Sequence, residues 1–149
     1  MLGLALIGIA DAFYYSHSVY TGQQLWCPSP LDGCNLVAGS PYARIVGIPL
    51  GYFGLVYYLY MFALVALLAY DPLSRGLRLG ALLHALKGFS ASVYFMYLQI
   101  AYIHAFCIYC VLSAVLTVLF LVTAIWHMRA TRAVTRAIMP ELGVPALGN

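Results

Sequence analysis

Four long apolar runs, at about 1–20, 45–70, 79–104 and 107–128, are separated by three polar interruptions of unequal length. A helix that crosses a membrane needs about 20 mostly apolar residues, and each run predicts one. The second interruption, Asp71-Pro72-Leu73-Ser74-Arg75-Gly76, is short, and the third is shorter still. Short connections make the second, third and fourth helices antiparallel neighbours in turn. The expected fold is an all-α integral membrane protein: a four-transmembrane-helix up-down bundle over 1–128, followed by a short basic tail over 129–149. Gly51, Gly54, Gly88, Ser90, Ala91 and Ser92 are small enough to let such helices approach closely.

The first interruption, 21–44, is the only long polar loop. Pro28, Pro30 and the Asp32-Gly33 turn predict irregular chain there. Ser40-Pro41-Tyr42-Ala43-Arg44 carries a helix-start signal, since Ser40 can accept a free amide and proline is tolerated at the first helical position. A short interfacial helix is expected from Ser40 onward. Gly47 and Pro49 then redirect the chain into the second span.

Composition agrees with this pattern. Of 149 residues, 64% are hydrophobic and only 7% are charged, more apolar surface than a soluble domain of this size has use for. The net charge of +3 does not point to nucleic acid, because the basic residues fall where orientation rules place them. Arg75 and Arg78 lie between the second and third runs, and Arg129, Arg132 and Arg136 follow the fourth. These segments share one side of a four-span chain, expected to be cytoplasmic. The loop 21–44 and the turn between the third and fourth runs then face outward from a plasma or inner membrane, the oxidising side. No Lys or Arg precedes Arg44, so the first run lacks the basic start of a cleaved signal and is expected to be retained.

The four cysteines all fall on that outer side. Cys107-Ile108-Tyr109-Cys110 opens the fourth run, and Cys27 and Cys34 lie in the loop. Residues three apart share a helix face, so Cys107 and Cys110 can form a disulfide, and a helix N-terminus favours the reactive thiolate. The chain from Cys27 to Cys34 reaches roughly 24 Å at most, which leaves Cys34 free to pair with Cys27 or to swing towards Cys107. A zinc site built from His104, Cys107, Cys110 and a loop cysteine is the rival reading. Covalent haem is disfavoured because Val111, not histidine, follows Cys110.

Three segments together resemble the vitamin K epoxide reductase family of membrane thiol oxidoreductases. They are Cys27 to Cys34 followed by Asn35-Leu36-Val37-Ala38-Gly39-Ser40-Pro41-Tyr42-Ala43; Gly47-Ile48-Pro49-Leu50-Gly51-Tyr52-Phe53-Gly54; and Ser92-Val93-Tyr94 leading to Phe106-Cys107-Ile108-Tyr109-Cys110. The resemblance is to bacterial and archaeal-type members, with no room for the fused thioredoxin-like domain that many carry. It implies that Cys110 faces a bound quinone, that Cys107 pairs alternately with Cys110 and Cys34, that Cys34 is the shuttle, and that Cys27 exchanges with a partner. It also implies that Ser40, Phe53 and Tyr57 border the quinone. The activity implied is quinone-dependent disulfide formation outside the cytoplasm. The electron donor would be a reduced thioredoxin-fold protein, and the acceptor a ubiquinone, menaquinone or vitamin K-type quinone in the lipid. Leu50 and Ala114 stand where animal members carry Asn and Tyr, which favours quinone over epoxide reduction.

Two other function classes are kept: a metal- or haem-binding membrane protein, and a non-catalytic scaffold stapled by disulfides. Among remaining ionisable groups, Asp11 inside the first run is read as a helix-end or interhelical residue. His84, Lys87 and His127 are read as structural, and His17 and His104 as outer groups able to shuttle a proton.

Overall fold

The computed structural model describes residues 1–29 and 33–141. Helices α1 (Leu2–Thr21), α3 (Leu50–Tyr70), α4 (Arg75–Leu98) and α5 (Ile108–Glu141) are long. Helix α1 packs on α3 and α5, and α4 packs on α3 and α5, so the four close a ring. Its centre is filled by Ala5, Ala12, Tyr58, Met61, Val65, Ala85, Leu116 and Phe120. Small residues set the spacing. The Tyr58 ring lies against Gly8, Tyr15 and Ser16 against Gly51, and Tyr57 against Gly88, each with no room for a Cβ.

Helices α3 and, over Ile108–Thr131, α5 are long and apolar enough to cross a membrane. Both leave large apolar side chains uncovered, including Val56, Leu59 and Leu67 on α3 and Val115, Val122 and Trp126 on α5. Exposed apolar area of this extent is what a lipid-facing surface requires.

Several boundaries depart from the sequence expectation. Residues 45–49 do not begin the second span. Arg44–Ile45 and Ile48–Pro49 form a two-stranded antiparallel hairpin, β1 and β2, in which Ile45 pairs with Ile48. The two turn residues, Val46 and Gly47, both have positive φ, 52° and 81°, the geometry that a two-residue hairpin turn demands. Helix α3 starts only after Pro49. The helix at the end of the chain does not stop near 128 but continues as α5 to Glu141. Residues 142–149, the last part of the expected tail, lie outside the described residues.

The loop departs most. Irregular chain was expected around the first cysteine pair, yet Cys34–Gly39 is helical (α2). The helix expected to start at Ser40 is only a 3₁₀ turn, Pro41–Ala43. Ser40 makes no side-chain cap; its hydroxyl donates instead to the Val37 carbonyl at 2.7 Å. Tertiary contacts account for α2. The Gly33 N–H donates to the Phe106 carbonyl at 3.0 Å, and the Gly33 carbonyl accepts the first helical bond from Val37. Pro30 and Asp32, part of the expected turn, lie outside the described residues.

Candidate redox site

Helix α4 passes into a π-helical turn, Gln99–Ile103, that ends at His104 in the left-handed region, φ 53°. This tight reversal delivers Cys107 to the start of α5. The Cys107 carbonyl accepts the Val111 N–H at 3.0 Å, so Cys107 is the N-cap and Cys110 the third helical residue. Its own N–H donates to the buried Gln99 side chain at 2.9 Å.

An N-cap side chain faces the free amides of the first turn. The Cys107 thiol is held below its ordinary range, first by a hydrogen bond from the Cys110 thiol; burial opposes this, and the amides of Cys110 and Tyr109 add to it. The balance shifts Cys107 towards the nucleophilic thiolate.

Cys27 and Cys34 form a disulfide with Cα atoms 6.3 Å apart, while Cys107 and Cys110 are thiols. Cys34 and Cys107 are both fully buried, and all four cysteines meet in one apolar cluster with Tyr15, Val19, Leu25 and Val37. The loop is strapped onto this end of the ring by named contacts. Asn35 accepts the Leu25 N–H at 2.9 Å and donates to the Leu25 carbonyl at 3.2 Å. The Tyr109 hydroxyl donates to the Trp26 carbonyl at 2.7 Å.

Beneath the cluster a cavity of about 370 Å³ opens between α1, α3, α4 and α5. Ser40, Phe53, Tyr57 and Cys110, four residues singled out in the sequence, all line it, together with Asp11, Phe95 and Gln99. Cys27, Cys34 and Cys107 are not among its lining residues. Volume and mixed apolar and polar lining suit a flat organic ring. Two buried polar atoms on its wall, Asp11 Oδ1 and the Tyr57 hydroxyl, have no hydrogen-bond partner, the condition a polar ligand relieves.

Among the described residues no three His, Cys, Asp or Glu side chains gather as a metal-ligand set. The vitamin K epoxide reductase family model matches residues 1–125. The chain belongs to the vitamin K epoxide reductase family. Membership makes it a membrane-bound oxidoreductase of the cysteine type, and the apolar faces of α3 and α5 agree with that setting.

Within this vitamin K epoxide reductase family member, sequence reading passed over Gln99 and took Asp11 for a helix-end or interhelical residue; the structure sets Asp11 on the cavity wall. Both carried the same signal: a strongly polar side chain inside an apolar run, which is costly without a partner or a task. Tyr109 carried no signal of its own, because tyrosine abounds here and its bond to Trp26 spans most of the chain.

Proposed function

We propose that the chain oxidises the thiols of a thioredoxin-fold protein outside the cytoplasm and passes the electron pair to a lipid-soluble quinone. In this reading all four long helices span the membrane. The cysteine end faces the oxidising side, and Arg75, Arg78 and the basic end of α5 face the cytoplasm. The observation that carries the proposal is the position of Cys110. It packs against the cluster holding the Cys27–Cys34 disulfide and also lines the apolar cavity.

The steps follow from thiolate–disulfide exchange. A partner thiolate attacks Cys27 Sγ and releases the Cys34 thiolate; the partner's second thiol then resolves the mixed disulfide and frees Cys27. Cys34 attacks Cys107 Sγ of a Cys107–Cys110 disulfide and releases the Cys110 thiolate, and Cys27 resolves the Cys34–Cys107 bond. The chain is left with Cys27–Cys34 oxidised and Cys107 and Cys110 reduced, the pairing observed here. A quinone supplies, when bound, an acceptor for two electrons and two protons. Cys107 and Cys110 would give up that pair as their disulfide re-forms; Phe53 and Tyr57 line the cavity that would hold the ring, and Gln99 holds Cys107 in place.

Reduction of a short-chain ubiquinone by the purified chain, driven by a reduced thioredoxin-fold substrate, tests the reading. Replacing any one of the four cysteines by alanine is expected to abolish turnover. Full turnover without Cys34 or Cys110 would sink it.

A further inference from the structure

Quinone reduction needs protons as well as electrons, and the steps above leave their delivery unassigned. Resting on that proposed reaction, we propose that Asp11 is the acid that protonates the inner oxygen of the bound quinone. The cavity is layered. At its outer level α1 presents Tyr15 against Gly51 of α3, and α5 presents Cys110. One turn deeper, Ala12 faces Gly54, and the Tyr58 hydroxyl bonds Ser113, one turn along α5 from Cys110, at 2.7 Å. Asp11 belongs to this inner level. The two levels differ by about one helical turn, ~5.4 Å, which matches the span between the two oxygens of a para-quinone ring. A ring with one oxygen beside Cys110 therefore sets the other beside Asp11.

Hydrogen bonding selects Asp11 within that level. Ser40, Tyr58, Tyr109 and Thr117 each spend a hydroxyl on a protein acceptor. Asp11 Oδ1 and the Tyr57 hydroxyl are buried and spend nothing. An unpaired carboxylate among apolar groups is costly, so the site accommodates the neutral acid, which has a proton to give. Tyr57 is the weaker acid of the two by several orders of magnitude and is left as a hydrogen-bond donor.

Electrons and protons balance. Cys107 and Cys110 lose two electrons and two protons as their S–S bond forms. Both electrons go to the ring, one proton goes to the oxygen beside Cys110, and Asp11 gives its own to the inner oxygen. Asp11 then takes up the second thiol proton. The titratable groups that line the cavity with it are Tyr15 on α1, Tyr42 on the 3₁₀ turn, Tyr57 and Tyr58 on α3, His84 and Lys87 on α4, and Tyr109 and Cys110 on α5.

The test separates the two half-reactions in the purified full chain. Reduction of the Cys27–Cys34 disulfide by dithiothreitol reads the loop, and oxidation of the Cys107 and Cys110 thiols by a short-chain ubiquinone reads the cavity. Asp11→Asn is expected to slow the quinone step by about 100-fold or more while leaving the loop step unchanged. It should also remove the fall in quinone-step rate at high pH, where the acid has lost its proton. Asp11→Glu should restore most of the rate and the fall. An Asn variant that matches wild type at every pH overturns the role of Asp11 and leaves the proposed function standing. Equal loss in both half-reactions also overturns it, as a structural effect. A wild-type chain inert towards the quinone overturns both readings. Should Asp11→Asn not fold, the wild-type quinone step in heavy water decides: slowing supports the proton transfer, and an unchanged rate overturns it.

Discussion

The buried Gln99 side chain accepts the backbone N–H of Cys107 at 2.9 Å, eight residues along the chain. This bond ties the end of the third long helix to the first turn of the last and fixes the capping cysteine. Gln99→Leu keeps the volume roughly constant but leaves the Cys107 amide buried and unpaired, at a cost of about 1–3 kcal/mol. The expected outcome is a lower midpoint in thermal unfolding and a slower exchange between Cys34 and Cys107. Wild-type values for both would show that the bond is incidental.

Removing the cavity-side thiol should trap the relay. In Cys110→Ala the Cys107 thiolate can still attack Cys34 Sγ and release Cys27, but the Cys110 thiol that would displace Cys34 from Cys107 is gone, so a Cys34–Cys107 disulfide is expected to accumulate. Both sulfurs are buried in the same apolar cluster, which shields the bond from outside thiols. Peptide mapping under non-reducing conditions reads the outcome; recovery of Cys27–Cys34 as the sole linkage would count against the relay.

Long-range hydrophobic pattern made the helical segments legible. A run of about 20 apolar residues announces itself locally, and so does a pair of cysteines three apart. The loop was not legible in the same way. Helix α2 depends on the bond from Gly33 to Phe106, a partner more than seventy positions away, and neither turn chemistry nor propensity reports such a bond. The Val46-Gly47 hairpin was missed because a non-glycine residue at positive φ runs against local preference. At the site, the cysteine pairs were readable from their spacing, whereas Ser40, Phe53 and Tyr57 were reached only through the family resemblance. Gln99 and Asp11 were readable only as polar exceptions inside apolar runs, and what they face depends on packing between helices.

Gly33 sits where the loop touches the reversal before α5. Its φ of −74° suits any residue, so backbone freedom is not what requires glycine. A Cβ there would stand 2.7 Å from the Ala105 Cβ and 2.8 Å from both the Phe106 amide nitrogen and its carbonyl oxygen. Backbone cannot yield as a flexible side chain does, so Gly33→Ala must lift the loop away, at about 1–3 kcal/mol of overpacking. The prediction is a loosened loop with the cavity intact. In the Cys110→Ala background, the Cys34–Cys107 linkage should form more slowly, while direct oxidation of the Cys107 and Cys110 thiols by quinone, measured in Gly33→Ala alone, stays near wild type. Equal slowing of both would place the damage in the bundle rather than at the loop contact.

The depressed thiol of Cys107 predicts a pH dependence with a definite sign. Its folded value lies below the unfolded one, chiefly through the Cys110 hydrogen bond. A group shifted down contributes stability that is present above its unfolded value and is lost as pH falls through its folded value. The reduced chain should therefore lose stability on acidification through that lower value, and Cys107→Ser should remove this part of the pH dependence. The ultraviolet absorbance of the thiolate, taken as the difference between wild type and Cys107→Ser, should persist below pH ~8.5, the usual thiol midpoint. In Cys110→Ala the largest cause is gone and only the two amides remain, so the midpoint should move back up. A difference titration centred on the ordinary thiol value in the wild type would mean that neither the Cys110 thiol nor the N-cap amides activate Cys107 and that exchange must begin from another sulfur; a depressed midpoint that Cys110→Ala leaves in place would assign the activation to the amides instead of the Cys110 hydrogen bond.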